Sequence, residues 1–179
     1  MKIVIDEYIY LKLFDLSLCD QFYDSIHQLN NSSDVFRQRL QKKYPTFDKL
    51  AVSIKDAVEN KYRVDGTPDF FIFYKNQLAG VFEFAPLVAD VDFLEVGYWL
   101  YLEHHRQGIM SNVMKRMIAF AKENFDRPRL IATTPIENLP SRALLESCGF
   151  KNTGITEVIE KDHGEKEEDI EYEYLLFIT

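Results

Sequence analysis

Cysteine, glycine and long apolar runs are scarce in this chain of 179 residues, which has two cysteines and seven glycines. The spacing of Cys19 and Cys148 predicts neither a disulfide framework nor a metal site. No apolar run approaches the roughly 18 residues of a membrane span, and the charged, alternating first residues do not resemble a signal peptide. We therefore expect reduced thiols, no bound metal, no membrane association and a cytoplasmic location.

Positive charge is also in deficit, because 21 Lys and Arg face 29 Asp and Glu, for a formal net charge of −8. This balance disfavours nonspecific binding to nucleic acid or anionic membranes and slightly favours a cationic substrate. What the chain has instead is apolar material, at 46% of residues. That is enough for one domain over residues 1–179 to bury a core without disulfides.

Hydrophobic periodicity predicts an α/β order of elements. Alternation predicts an opening strand over 8–14, and helical spacing predicts helices starting near Ser17 and Ser33 and a third over 47–62. The later predicted strands cover 70–74, 78–84, 93–102, 129–134, 150–159 and 170–178, with a hairpin turn at 75–77 and helices at 107–124 and 138–148. With no internal repeat, this order favours one mixed α/β layered domain.

The start of helix 107–124 is the first segment that suggests chemistry. An apolar strand ends shortly before Gly108, and a helix-period pattern follows. A helix N-terminus leaves about four backbone N–H groups unpaired and carries partial positive charge, so it suits a phosphate. Glycine lets the backbone approach such a ligand closely. The alternative is a plain strand-to-helix turn.

The second such segment is the start of helix 138–148. Pro140 fits only the first turn of a helix, and Asn138 lies just before it. Asn138 is either a ligand contact or simply the N-cap, which alone is worth about 1 kcal/mol. Ser141, three residues after Asn138, and Leu145, four residues further on, share one side of the helix with Asn138.

Together these segments resemble the GNAT superfamily of acyl-CoA N-acyltransferases, in particular the branch of bacterial ribosomal-protein N-terminal acetyltransferases. The matching features are Gly80, Glu95 with residues 97–100, the loop 106–110, Asn138 with Ser141, and Gly149-Phe150. The resemblance implies a single mixed, largely antiparallel central sheet of about six to seven strands, flanked by helices. It implies transfer of an acetyl group from acetyl-CoA directly to a primary amine.

In that family the pattern Gln/Arg-x-x-Gly-x-Gly/Ala wraps the CoA pyrophosphate, and residues 105–110 correspond to it. His105 and Met110 depart from the pattern, although contacts made by backbone N–H groups tolerate such changes. The resemblance further implies backbone contacts from β-strand residues to the pantetheine arm. The residues expected to bind acetyl-CoA are Trp99, Leu100, Tyr101, Arg106, Gln107, Gly108, Ile109, Met110, Ser111 and Asn138.

Acetyl transfer needs an unprotonated amine, a stabilised oxyanion and a proton for the departing thiolate. Many relatives carry a Tyr acid where this chain has Leu145, whereas the ribosomal-protein branch carries a Ser at the place of Ser141. We expect Ser141 to serve the thiolate, and Glu95, or as second choice Glu83, to be the base. The alternatives are ordinary surface carboxylates and a Ser141 hydroxyl that bonds the helix backbone.

The acceptor stays open at this point. A protein N-terminal amine is favoured; the alternatives are a polyamine, antibiotic or metabolite amine, or a non-catalytic CoA-binding module. His104 and His105 lack the spacing of a zinc site, so we expect surface or loop histidines. The expected partners are acetyl-CoA and an amine, in a monomer or homodimer.

Overall fold

A computed structural model describes residues 1–27, 35–59, 67–85, 92–160 and 168–178. Its strands are β1 (Lys2–Val4), β2 (Ile9–Leu13), β3 (Asp69–Tyr74), β4 (Gln77–Ala85), β5 (Phe93–Leu100), β6 (Arg129–Pro135), β7 (Lys151–Glu160) and β8 (Glu168–Phe177). Its α-helices are α1 (Cys19–His27), α2 (Val35–Lys43), α3 (Phe47–Asp56), α4 (Ile109–Asn124) and α5 (Leu139–Ser147). Short 3₁₀ turns cover Leu16–Leu18 and Leu102–His104.

The strands form one mixed sheet in the order β1-β2-β3-β4-β5-β6-β8-β7. Every neighbouring pair with a described register is antiparallel except β5 and β6, which run parallel. The predicted mixed, largely antiparallel sheet with flanking helices is therefore confirmed. The strand count is eight rather than six to seven. The strand missing from the sequence prediction is β1, whose three residues are too short to show a period.

The chain divides into two compact units. The first comprises Met1–Pro86 and Gly97–Ile109, and the second comprises Leu87–Val96 and Met110–Thr179. Strand β5 contributes residues to both. That residues 1–179 form a single N-acetyltransferase domain stays a prediction.

In the first unit, helices α1 and α3 pack on one face of β3 and β4. The pattern that places them there is local: apolar residues recur four apart on each helix and two apart on the strands. The buried residues of this core are Cys19, Phe22, Ile26, Leu50, Ile54, Phe71, Phe73, Leu78, Val81 and Tyr101. Four of these ten residues, Phe22, Phe71, Phe73 and Tyr101, are aromatic, so aromatic rings form much of this core.

The β3–β4 turn has two residues, not the three that the sequence predicted. Lys75 and Asn76 both have positive φ, 49° and 64°, as a two-residue type I′ turn requires. Gln77 already belongs to β4 and pairs with Tyr74. A two-residue turn of this type is favoured because its backbone twist matches the right-handed twist of the two strands.

In the second unit, α4 buries the stripe that its sequence predicts. Val113, Met114, Met117 and Ala121 have no exposed surface, whereas Ile118 is half-buried. Helix α3 is α-helical over Phe47–Asp56 and continues as π-helix over 57–59, within the predicted helical region; residues 60–62 of that region lie outside the described residues. So do Leu29 and Ser33, which the sequence assigns to the first two helices.

Candidate functional site

The loop between β5 and α4 has a backbone that the sequence alone did not predict. Helix α4 begins at Ile109 and not at Gln107, because Gly108 has φ +74°, outside the helical region. A Cβ added at Gly108 would meet nothing within 4 Å. Arg106 also has positive φ, at 58°, which is unusual for a residue with a side chain. The loop therefore enters the helix through two left-handed residues and leaves open space beside Gly108.

The first turn of α4 suits an anion. Ile109 and Met110 bury their side chains, with 1% and 9% exposed, and Ser111 is half-buried. No acidic residue lies in this turn. A carboxylate there would compete with a bound anion for the backbone N–H groups and the helix dipole. The positive end of α4 is therefore not neutralised by its own first-turn side chains.

Two side chains of the loop bond the backbone of the same segment. The imidazole Nε2 of His105 lies 3.0 Å from the Leu100 carbonyl oxygen. The Gln107 amide Nε2 donates to the Glu103 carbonyl oxygen at 2.8 Å. His105, which departs from the family pattern, thus ties the loop to the end of β5. Gln107, which we expected to contact CoA, holds the loop through its side chain.

Gly80 on β4 allows β5 to approach very closely. A Cβ added at Gly80 would lie 2.1 Å from the Trp99 carbonyl oxygen and 2.9 Å from Leu100 Cα. Both are backbone atoms and have no room to move aside. One residue further on, the Tyr101 N–H donates to the Ala79 carbonyl oxygen at 2.9 Å. Of the backbone groups predicted to meet pantetheine, the Tyr101 amide therefore already has a partner within the protein.

The side chains of Trp99 and Tyr101 belong to the core of the first unit. Trp99 is half-buried and stacks on Phe22, with ring centroids 6.2 Å apart. Tyr101 is 1% exposed, and its hydroxyl lies 2.6 Å from the Ser25 hydroxyl. Both aromatic rings therefore pack within the core of the first unit. Their predicted part in CoA binding is left to backbone groups.

Glu83 is an exposed carboxylate on β4 that reaches across to β5. A Cβ added at Gly97 would lie 2.5 Å from Glu83 Oε1 and 2.8 Å from its Cγ. The glycine at 97 therefore leaves the room that the Glu83 side chain occupies. Asp69, which the sequence analysis did not single out, pairs with Glu83 in the β3–β4 register and is 8% exposed. Two carboxylates thus lie opposite each other on this part of the sheet.

The second unit carries the other base candidate and the second predicted segment. Glu95 is half-buried and lies in register with Ile131 of β6. The Asn138 side chain accepts a hydrogen bond from the Ser141 backbone N–H at 3.2 Å. The N-cap interpretation of Asn138 is therefore correct, and it leaves the side-chain amide NH₂ as a possible donor to a ligand. Ser141 is half-buried in the first turn of α5.

Arg142 fixes this first turn of α5. Its Nη1 donates to the Ile136 carbonyl oxygen at 2.9 Å, and its Nε donates to the Tyr174 hydroxyl at 3.2 Å. The bond to Tyr174 raises the pKa of Arg142. Tyr174 is fully buried and donates in turn to Glu146. No local pattern links Arg142 to β8, so the sequence does not predict this network.

The two adjacent histidines of the loop before α4 differ in burial. His104 lies in the 3₁₀ turn of the loop before α4, so it is a loop histidine as expected, but its side chain is buried, with 8% exposed. Its ring packs edge-on against Tyr74, and burial lowers its pKa. His105 is exposed, as expected.

Within the described residues, no three His, Cys, Asp or Glu side chains lie close enough together to hold a metal ion, and no helix is long and apolar enough to cross a membrane.

The mixed sheet, its helices and the loop before α4 define a fold shared with known acetyltransferases. An acetyltransferase from Salmonella typhimurium that modifies the N-terminal serine of a 50S ribosomal subunit protein superposes with a TM-score of 0.79, over 100% of both chains at 17% identity. A microcin self-immunity acetyltransferase, solved with acetyl-CoA and AMP, has a TM-score of 0.77 and 19% identity over 97% of this chain and 94% of its own. At such identities the likeness establishes the fold.

The family follows from the sequence itself. The model of the Acetyltransferase (GNAT) domain matches residues 17–151, and the chain belongs to this family. The predicted family and fold are thus confirmed. The ribosomal-protein-serine acetyltransferase of Escherichia coli (strain K12) is 28% identical over 81 residues, which are 45% of this chain and 45% of that protein. The chain therefore spans about half the length of this curated relative.

Proposed function

We propose that this protein is an acetyl-CoA-dependent N-acetyltransferase that acts on a protein N-terminal amine. The observation that carries the proposal is the start of α4. Gly108 has positive φ and no neighbour within 4 Å of its missing side chain, and no acidic residue lies in the first helical turn. This arrangement suits the CoA pyrophosphate, held by backbone N–H groups without a metal. Membership of the GNAT family supports the same donor.

The proposed reaction is one direct transfer. The amine nitrogen attacks the acetyl carbonyl carbon, the amine gives up a proton to a base, and the C–S bond then breaks. The thiolate takes a proton as it leaves, so the products are the acetylated amine and free CoA. Glu95 is the proposed base, directly or through water, with Glu83 as second choice. Ser141 is the proposed hydrogen-bond donor to the thiolate.

The kind of amine decides how strong the base must be. An α-amino group with a pKa near 8 is about 1 kcal/mol from its free base at pH 7, whereas a Lys amine with a pKa near 10.4 is roughly 4.6 kcal/mol away. A partly exposed carboxylate is a weak base and suits the first case. Two of the relatives support the same acceptor, since one modifies the N-terminal serine of a ribosomal subunit protein and another is named a ribosomal-protein-serine acetyltransferase.

Donor binding is tested first, by thermal unfolding in the presence of CoA. A ligand at about 100 times its dissociation constant adds roughly 2.7 kcal/mol to stability, which raises the unfolding temperature clearly. Desulfo-CoA and adenosine are suitable comparison ligands, because only the former carries the pyrophosphate. An unchanged unfolding temperature at millimolar CoA would refute the proposed donor.

Catalysis and the acceptor are tested by release of free thiol from acetyl-CoA. N-terminal peptides, lysine peptides and small amines are compared as acceptors, and we expect the N-terminal peptides to react fastest. Glu95→Gln and Ser141→Ala should each lower the rate by about 10²-fold or more, as loss of a proton-transfer group does. Ser147→Ala is the matched control, since that exposed hydroxyl of α5 donates to the Leu144 carbonyl oxygen.

If both variants keep the wild-type rate, the assigned roles of Glu95 and Ser141 are wrong. Glu83→Gln then tests the second base candidate. If small amines react faster than every N-terminal peptide, the proposed acceptor is wrong while the proposed donor stands.

A further inference from the structure

A buried arginine on α2 contacts the segment that leads into the proposed CoA loop. Arg37 is only 3% exposed, although it lies on a helix with three more cations and no acid, VFRQRLQKK. Arginine is almost never buried to this degree unless it is paired. Burial of its guanidinium therefore needs specific partners, and these lie on the Tyr101–His104 segment, 64 to 67 residues further along the chain.

The Arg37 guanidinium contacts both Glu103 and Tyr101. Its Nη2 donates to Glu103 Oε1 at 2.7 Å, and its Cζ lies 4.2 Å from the centroid of the Tyr101 ring. The first is a charge-assisted hydrogen bond and the second a cation–π contact, and both are stronger when water is excluded. Arg37 thus binds two residues of a single turn at once.

These two residues are the ones on which the loop is fastened. Gln107 Nε2 donates to the Glu103 carbonyl oxygen at 2.8 Å, just before Gly108. The Tyr101 N–H bonds β4 through the Ala79 carbonyl oxygen at 2.9 Å. Moving the turn at Leu102–His104 would therefore move the backbone of Gly108 with it.

Helix α2 also has attachments that do not depend on Arg37. Gln41 Nε2 donates to the Ile26 carbonyl oxygen of α1 at 2.8 Å, and Leu40 packs against the core of the first unit. Gln41 and Leu40 already attach α2 to the rest of the first unit, so attachment of α2 does not by itself require Arg37. The contacts of Arg37 with Tyr101 and Glu103 instead affect the loop.

We propose that Arg37 is a positioning residue for CoA binding, which holds Tyr101 and Glu103 so that the loop through Gly108 keeps the backbone geometry that receives the pyrophosphate. The inference rests on the proposed function for its ligand. It assigns to α2 an effect on donor affinity that acts through Tyr101 and Glu103.

The test compares Arg37→Gln and Glu103→Ala with Arg39→Gln, an exposed arginine of the same helix. CoA is titrated against the emission of Trp99, the single tryptophan of the chain, whose ring packs edge-on against Tyr101 at 5.0 Å. Both test variants should bind CoA about 3- to 30-fold more weakly and show shifted Trp99 emission before CoA is added. Arg39→Gln should match the wild type in both.

Steady-state kinetics separate positioning from general damage. The KM for acetyl-CoA should rise by the same factor, while kcat at saturating acetyl-CoA stays within about twofold. A variant that merely unfolds in part would lose kcat instead. The double variant should bind CoA no more weakly than Arg37→Gln alone, because Arg37→Gln already removes the ion pair that Glu103→Ala removes.

The outcomes tell this inference apart from the proposed function. If wild-type protein does not bind CoA, both are overturned. If wild type and Arg39→Gln bind CoA and the two test variants bind equally well, only the role of Arg37 is overturned. If Arg37→Gln does not fold, Glu103→Ala decides alone, since Glu103 is 39% exposed and its loss is better tolerated.

Discussion

The two helices that carry the predicted site begin in opposite ways. Helix α5 is closed by its own sequence, because Asn138 accepts from the Ser141 N–H and a proline occupies the first turn. Helix α4 follows Gly108, which has no side chain to serve as a cap and lies beside open space. Both first turns lack an acidic residue. From this difference we infer that α4, and not α5, binds an anion from outside the chain.

The comparison also divides the chemistry between them. An N-terminus that is already capped gains less from a phosphate, since fewer N–H groups remain unpaired. Helix α5 instead presents side chains, Asn138 and Ser141, on a turn fixed by Arg142. We therefore assign the pyrophosphate to α4 and the leaving thiolate to α5.

The largest expected effect comes from displacing β5, the strand that leads to the N-terminus of α4. Gly80→Ala places a Cβ 2.1 Å from the Trp99 carbonyl oxygen, and this contact cannot be relieved by rotating a side chain. We expect the free energy of unfolding to fall by about 3 kcal/mol or more, at the upper end of overpacking effects. Urea unfolding measures this loss. A fall below about 1 kcal/mol would mean that β5 moves freely from β4.

A more selective change acts on the loop itself. Gly108→Ala strains a residue at φ +74° by about 1 kcal/mol and puts a methyl group into the open space. We expect CoA to bind at least about tenfold more weakly, because the methyl group occupies room that the pyrophosphate needs. Calorimetric titration measures the affinity.

Gly154→Ala is the control matched to that change. Gly154 on β7 has φ +79° and likewise no neighbour within 4 Å of an added Cβ. Its substitution should cost the same stability, about 1 kcal/mol, and leave CoA affinity unchanged. Equal losses of affinity in the two variants would show that backbone strain, not the loop, is responsible.

Local patterns predicted the parts of the molecule in which neighbours in sequence act together. The stripe on α4 and the cap at Asn138 are of this kind, because a helix period and an N-cap span only a few residues. The Arg37–Glu103 pair joins residues 66 apart, and no periodicity reports such a contact. The positive φ of Arg106 is hidden for another reason, since arginine carries no signal for the left-handed region.

The role of Asn138 as the N-cap of α5 is tested by removing its side chain. Asn138→Ala loses the bond to the Ser141 N–H and should cost about 1 kcal/mol of stability. Thr46→Ala is the matched control, because Thr46 caps α3 in the same way, accepting from the Lys49 N–H at 3.4 Å. Thermal unfolding should show similar losses, while the acetylation rate should fall for Asn138→Ala alone. An equal fall in both would remove Asn138 from the site.

The smallest expected effect is a pH dependence of stability that arises from the turn before α4. His104 lies in the turn before α4, where burial lowers its pKa below the ordinary 6.5. The charge of Glu103 acts to raise the pKa of His104, whereas Arg37 and His105 act to lower it, and burial outweighs all three. Below about pH 6.5 the unfolded chain binds a proton that the folded chain resists, so stability falls as the pH is lowered and levels off below the folded pKa. His104→Phe, which keeps an edge-on ring beside Tyr74, should flatten this part of the stability profile measured by urea unfolding between pH 7.5 and 5. An unchanged slope would show that His104 is protonated as readily in the folded chain as in the unfolded one.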